Sequence, residues 1–167
     1  MSAISHAVDA QSGNARATTF AVRNRQVLTP CFMPVATKAA IKGVTTWQLE
    51  ALGAQIVLGN TYHLALRPGE ARVADLGGLA AFMGWSGGTL TDSGGYQVFS
   101  LAKLAKKTEE GVTFRSHLDG SLLSLTPERS MAIQRALSAD IAMLFDDCPP
   151  GGGDRRVVED AIRLTDT

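Results

Sequence analysis

Cysteine is nearly missing from this sequence. Cys31 and Cys148 are the only two, they stand far apart, and they form no Cys-x-x-Cys pair. That excludes a disulfide framework and a zinc site made from these cysteines, and it points to a reducing, cytoplasmic compartment. The three histidines, His6, His63 and His117, lack ligand spacing as well. His63 follows an expected strand end, where it is either polar pocket lining or a buried, hydrogen-bonded structural residue. An excess of either charge is also missing: Lys plus Arg and Asp plus Glu number 16 each. Charge alone therefore predicts no nucleic-acid partner. Lys103, Lys106, Lys107 and Arg115 form one local basic group, whose plain reading is a solvated face. No apolar run is long enough to span a membrane. Met1 to Asn14 lacks the apolar core of a signal peptide. Residues 1–18 are expected to be a disordered or frayed terminus, with the folded part over 19–167. What is present is the ordinary stock of a globular domain, 45% of it hydrophobic.

The densest chemistry lies in Thr91-Asp92-Ser93-Gly94-Gly95-Tyr96-Gln97-Val98-Phe99-Ser100. Thr89-Leu90-Thr91 reads as a strand that ends at Asp92. Two glycines then let the backbone turn and leave room for a flat ligand to come close. Tyr96 has the ring to stack on such a ligand, and Asp92 the carboxyl to exchange a proton with it. The plainer alternative is an Asp-Ser-Gly-Gly turn that serves only as punctuation.

Two further segments repeat the design. Gln55-Ile56-Val57-Leu58-Gly59 is a short apolar run followed by Asn60-Thr61-Tyr62-His63, and Ile141-Ala142-Met143-Leu144-Phe145 is followed by Asp146-Asp147-Cys148. Apolar runs this short, bounded by turn residues, suit strands buried on both faces. Each delivers a polar side chain at its C-terminal end, where a barrel of parallel strands keeps its active site. Asn60, Asp92 and Asp146 would then share one rim.

Helical crossovers fit between the strands. Thr45-Thr46-Trp47-Gln48 matches a capping box that Gly53 closes. Pro68 is placed to open a helix that carries Val73 and Leu76 and ends at Gly77-Gly78. Thr126-Pro127-Glu128 starts another, and Asp154 caps a last one. Alternating strand and helix predicts a parallel sheet with right-handed crossovers. Asp119-Gly120 is a hairpin signal between Val112–Leu118 and Ser121–Leu125, and Arg23-Asn24-Arg25 a second between Thr19–Val22 and Gln26–Leu28. The second hairpin is expected across the barrel bottom or beside a first strand, Phe32-Met33-Pro34-Val35. The fold class read from the pattern is α/β, of the TIM (β/α)8 barrel type. Four barrel strands can be counted in 167 residues, against about 250 residues for a whole barrel. The sequence is thus expected to cover the first half of a barrel, with antiparallel hairpins inserted.

The same segments resemble the tRNA-guanine transglycosylases, also called queuine tRNA-ribosyltransferases. The resemblance is carried by Thr29-Pro30-Cys31-Phe32-Met33-Pro34-Val35, by Leu58-Gly59-Asn60-Thr61-Tyr62-His63-Leu64, by Leu66-Arg67-Pro68-Gly69 and by Leu90 to Leu101. Asp119-Gly120, Leu125-Thr126-Pro127-Glu128 and Phe145-Asp146-Asp147-Cys148 complete the set in the family's order. The resemblance implies a TIM barrel that exchanges guanine at the anticodon wobble position of tRNA for a 7-deazaguanine, in queuosine biosynthesis. The reaction it implies is a double displacement through a covalent ribosyl intermediate, on a base unstacked from the anticodon loop. It also implies tRNA and the free base as partners, no membrane, and a homodimer when complete.

Carried over residue by residue, the resemblance makes Asp92 the general acid/base. Ser93, Gly94 and Gly95 line the base pocket, and Tyr96 stacks on the purine. Asp146 accepts hydrogen bonds from the guanine-edge donors, Asn60 holds Asp92 in position, and Cys148 lines the pocket beside Asp146. Asp147 and Pro149 stand where bacterial members usually have Glu and Thr. Asp147 is similar to the eukaryotic branch and Cys148 to the bacterial one, which leans the substrate towards 7-aminomethyl-7-deazaguanine over queuine. The family's nucleophilic aspartate, Gly-rich loop, basic tRNA-binding segment and zinc site of three cysteines and a histidine belong to its C-terminal half. They have no counterpart before Thr167. The expected reading is the N-terminal half of a transglycosylase, inactive by itself, with no cofactor of its own and a structural zinc in the other half. The alternative is a truncated non-catalytic homologue serving as a binding or assembly subunit. Against it stand the intact Asp92 and Asp146.

Overall fold

Three sheets organise the computed structural model, which describes residues 5–22, 25–97, 106–116, 118–149 and 151–166. The central sheet is parallel and contains β4 (Val35–Ala36), β5 (Ile56–Gly59), β6 (Gly88–Thr91) and β10 (Ile141–Ala142). Its strand order, β10-β6-β5-β4, follows chain order without a reversal. An N-terminal antiparallel sheet joins β1 (His6–Ser12), β2 (Ala15–Val22) and β3 (Arg25–Thr29), and a third joins β7 (Lys106–Thr108), β8 (Gly111–Arg115) and β9 (Leu122–Leu125).

Helices fill the gaps between the parallel strands. They are α1 (Thr46–Ala51), α2 (Thr61–Leu66), α3 (Glu70–Asp75), α4 (Leu79–Met83), α5 (Pro127–Ala136) and α6 (Arg155–Asp166). The starts are chemically explicit. Thr45 and Gln48 form the reciprocal capping box, so two orphan N–H groups of α1 are satisfied. The Thr126 hydroxyl accepts from Arg129 N–H at 3.1 Å, with Pro127 in the first turn of α5. Asp154 Oδ1 accepts from Arg156 N–H at 3.1 Å ahead of α6.

Several expectations needed adjustment. The segment read as a frayed end pairs instead: β1 runs antiparallel to β2, His6 opposite Phe20 and Ser12 opposite Ala15. All seven β1 residues are exposed, so no apolar alternation marks the strand in the sequence. The first parallel strand lies at Val35–Ala36 rather than Phe32–Val35. Pro34 has no N–H to give a ladder, and its carbonyl accepts from Leu58 N–H at 2.9 Å. The helix expected from Pro68 is α3, which carries Val73, starts two residues later behind Gly69 at φ 98° and ends with Leu76 as its C-cap; α2 and α4 are additional short helices on either side. β7 is an additional strand, paired with β8. The Asp119-Gly120 hairpin forms, and Asp119 Oδ1 accepts from the Ser121 N–H and hydroxyl. Of the basic group, Arg115 donates to Gly120 C=O at 3.0 Å within its own hairpin. Lys103, His117 and Val98–Leu101 lie outside the described residues.

Three apolar clusters hold these layers together. Val22 and Val27 of the N-terminal hairpin pack with Ile56. Ile56 opens β5, so this contact sits at the N-terminal end of the parallel strands. Leu49 and Trp85 close on Val57 and fix α1 against the sheet. The largest cluster packs Tyr62, Leu64, Val73 and Leu79 against Val112, Phe114, Leu125, Ile133 and Leu137. Leu64, Leu79 and Leu137 are fully buried, and each such side chain stabilises the fold by about 1.5–3 kcal/mol. This cluster docks the β7-β8-β9 sheet and α5 under the C-terminal ends of the strands. Among the described residues no helix is long and apolar enough to cross a membrane.

Candidate functional site

Strand register brings the polar strand ends together. Gly59 of β5 lies opposite Thr91 of β6, and Thr91 opposite Ala142 of β10. The residues that follow, Asn60, Asp92 and the Met143–Asp146 segment, therefore leave the sheet side by side. The Asp92 N–H donates back to Gly59 C=O at 3.2 Å, and Met143 N–H to Thr91 C=O at 3.3 Å.

Asp92 is held by several donors at once. Asn60 Nδ2 donates to Asp92 Oδ2 at 2.5 Å, and the backbone N–H groups of Thr61 and Gly94 donate to Oδ1 at 2.9 and 3.1 Å. Asn60 also caps α2, its Oδ1 accepting from His63 N–H at 2.9 Å, so one side chain starts the helix and aims the carboxylate. The Thr61 hydroxyl donates to Asp92 C=O at 2.5 Å. Burial pushes the Asp92 carboxyl above its ordinary value. The Thr61 and Gly94 N–H groups and the Asn60 amide oppose the shift, and the charge of Asp146 adds to it.

A single hydroxyl joins the two carboxylate loops. Ser93 Oγ donates to Asp146 Oδ1 at 2.9 Å and accepts from Gly95 N–H at 3.1 Å. Both glycines are required here. Gly94 sits at φ 81°, a left-handed conformation that side-chain-bearing residues avoid. A Cβ on Gly95 would lie 2.8 Å from the Asp146 carbonyl oxygen. On the far side the loop is fastened to α6, because Thr165 Oγ1 accepts from Asp147 N–H at 3.0 Å. Tyr96 is 60% exposed, its ring free of the core. Cys148 is an exposed free thiol two residues past Asp146. His63 meets the Tyr62 ring edge-on at 5.1 Å between centroids, on α2.

The structure thus brings Asn60, Asp92, Ser93, Gly94, Gly95 and Asp146 into one connected group, with Tyr96 and Cys148 beside it in the chain. Sequence reasoning passed over Thr61, which is fully buried, and the buried Ser130 and Gln134 of α5. A polar pair four residues apart inside an apolar helical stripe was the available signal for the last two. Among the described residues no His, Cys, Asp and Glu side chains gather into a metal-holding group. Chemically, the group offers one carboxyl poised to hold or release a proton and a second, hydroxyl-steadied carboxylate to accept from a ligand's donors.

The sequence profile described as queuine tRNA-ribosyltransferase matches residues 9–167. A queuine tRNA-ribosyltransferase of Sphingopyxis alaskensis is 56% identical over 152 residues, covering 91% of this chain and 40% of the relative. One from Nostoc sp. is 58% identical over 151 residues, 90% of this chain and 40% of the relative. One from Thermus thermophilus is 52% identical over 158 residues, 95% of this chain and 41% of the relative. The chain spans about 40% of the length of these curated relatives.

Proposed function

The chain belongs to the queuine tRNA-ribosyltransferase family, and on that premise we propose that it carries the acid/base and base-reading part of a tRNA-guanine transglycosylase site. The reaction is exchange of guanine in tRNA for a 7-deazaguanine. The observation that carries the reading is the Ser93 bridge: the residue next to Asp92 donates to Asp146 Oδ1 at 2.9 Å, which ties the two carboxylate loops together.

The chemistry follows from those positions. As the N-glycosidic bond breaks, its electron pair goes to the departing guanine, and Asp92 gives that base its proton. The resulting carboxylate takes the proton from the incoming 7-deazaguanine, whose nitrogen forms the new bond. A carboxyl raised by burial suits both directions. Asp146, half-buried, accepts from the paired donors of the guanine edge, which adenine does not present, so the wrong base leaves the carboxylate without those donors. Tyr96, exposed at the loop, stacks on the base, and Cys148 lines the pocket edge. The nucleophile of the ribosyl intermediate is assigned to the portion of the relatives' length that this chain does not span.

The parallel sheet supports an (β/α)8 barrel for the whole. Its strands are added in chain order, so crossovers of one hand place every helix on one face, and the polar residues sit at the strand C-termini. Under this reading tRNA presents an unstacked anticodon base to the rim, and the protein works in the cytoplasm. Guanine exchange into tRNA by the native gene product tests the reading. Asp92→Asn is expected to nearly abolish exchange and leave tRNA binding largely intact. Unchanged turnover would remove Asp92 from the mechanism.

A further inference from the structure

We infer that Gln134, together with Ser130 one turn before it on α5, is a positioning residue that sets the spacing of the two carboxylate-bearing loops. The inference rests on the proposed reading of the site and adds the device that holds it in register. Gln134 is 1% exposed and Ser130 0%, yet neither is an apolar core residue. Apart from a contact of Gln134 Nε2 with the Met131 sulfur at 3.7 Å, their side-chain polar atoms meet the strand ends, the loops or each other.

The Gln134 amide acts as a surrogate peptide. Its Oε1 accepts from Met143 N–H at 2.9 Å and from the Thr91 hydroxyl at 2.9 Å. Its Nε2 donates to Met143 C=O at 2.8 Å and to Ser130 Oγ at 3.1 Å. The last paired residues of β6 and β10 are Thr91 and Ala142, and one residue later the amide shares the Met143 N–H with Thr91 C=O. Thr91 immediately precedes Asp92, and Met143 lies three residues before Asp146. The same helix then reaches the other loop: the Ser130 hydroxyl donates to Ser93 C=O at 2.7 Å. Ser93 in turn carries the bridge to Asp146. A closed circuit results, in which one helix face holds both loops and the loops hold each other.

A buried amide with both acceptor positions and both donors used is geometrically demanding, because nothing else of that shape supplies two acceptances and two donations. Gln134→Leu removes the clamp on Met143 and Thr91. Gln134→Glu keeps the shape and the acceptor but loses the donors. Ser130→Ala cuts the link to Ser93 and takes one acceptor from the Gln134 amide, while the hold of Gln134 on Met143 and Thr91 stays. Small errors in the spacing of catalytic groups are costly, about a hundredfold in rate for a displacement near 1 Å.

The test compares these variants with the parent native gene product, using guanine-exchange kinetics, thermal melting and amide NMR spectra. Ser130→Ala is expected to lower kcat by about tenfold. Gln134→Leu should lower kcat further and raise KM for guanine as well, since it frees the Asp146 loop too. Gln134→Glu should fall between Gln134→Leu and the parent. Lowered melting temperatures with parental kcat and KM would assign both residues to stability alone and overturn the inference. If Gln134→Leu does not fold, Ser130→Ala decides the matter. If the parent exchanges no guanine, the proposed function fails, and the spacing claim is judged by the spectra. Shifted Gly94, Gly95 and Asp146 amides in Ser130→Ala would then uphold it, and unmoved ones would overturn it.

Discussion

The two ends of the parallel sheet differ in the polar groups they bury. At the N-terminal end, Val22 and Val27 of the hairpin close on Ile56, and Phe20, Leu90 and Ile141 pack around them. At the C-terminal end the largest apolar cluster packs as well, but the residues on which the strands end are buried and polar: Asn60, Thr61, Thr91 and Ser93, with Ser130 and Gln134 on the helix behind. Apolar burial is non-directional and scales with area, so the lower end can be stable without fixing any atom closely. Buried polar groups must each meet a partner in the right direction, so the upper end trades some stability for defined geometry. Asp92 shows the trade most clearly, since its charged form is disfavoured by the burial that makes it useful.

Breaking the upper end should therefore damage turnover more than folding, and the lower end the reverse. Asp92→Asn is expected to have the largest effect on exchange, about 10²–10⁴-fold for loss of a positioned acid/base, with the fold retained. At the other end, Ile56→Ala should destabilise by about 2–5 kcal/mol and leave guanine affinity of the folded molecules unchanged, measured by denaturation and calorimetry. A selective loss of affinity there would mean the two ends are coupled. Tyr96→Ala should weaken base binding by about 1–3 kcal/mol with little change in melting temperature, because its ring is exposed. An unaltered guanine affinity would give Tyr96 a structural role instead.

The subtlest difference is one of pH. The folded-state pKa of Asp92 is raised above 3.8, so the native state keeps this proton to higher pH than the unfolded chain. Its contribution to stability is fully present below about pH 3.8 and is lost as pH rises through the folded value. Asp92→Asn abolishes that loss. The stability of the variant relative to the parent should therefore increase as pH rises from about 4 to neutrality, measured by denaturation at each pH. A difference that stays flat would contradict a raised Asp92.

The same contrast explains what the sequence disclosed. Signals confined to a few neighbouring residues were legible: the Thr45–Gln48 capping box, the Thr126-Pro127 helix start and the Asp119-Gly120 hairpin all appear in the structure. The apolar run ending at Gly59 was legible too, because burial on both faces leaves a hydrophobic stretch, and the Thr89-Leu90-Thr91 strand was legible from its β-prone residues. β1 was not, since every residue in it faces water and no period betrays it. β7 escaped because its pairing with β8 is a contact between residues that carry no shared pattern. Thr61 and Gln134 escaped for a different reason. A polar side chain in a helix looks the same in sequence whether it meets solvent or, as Gln134 does, a strand end.

The central claim is that Asp92 and Asp146 serve one flat base, and a crystal structure of the native gene product with guanine tests it most directly. The account predicts guanine with its edge donors on the Asp146 carboxylate, one face against the Tyr96 ring and the Asp92 carboxyl within hydrogen-bond reach. Guanine bound at another place, or bound at the rim without contact to Asp146, would contradict it.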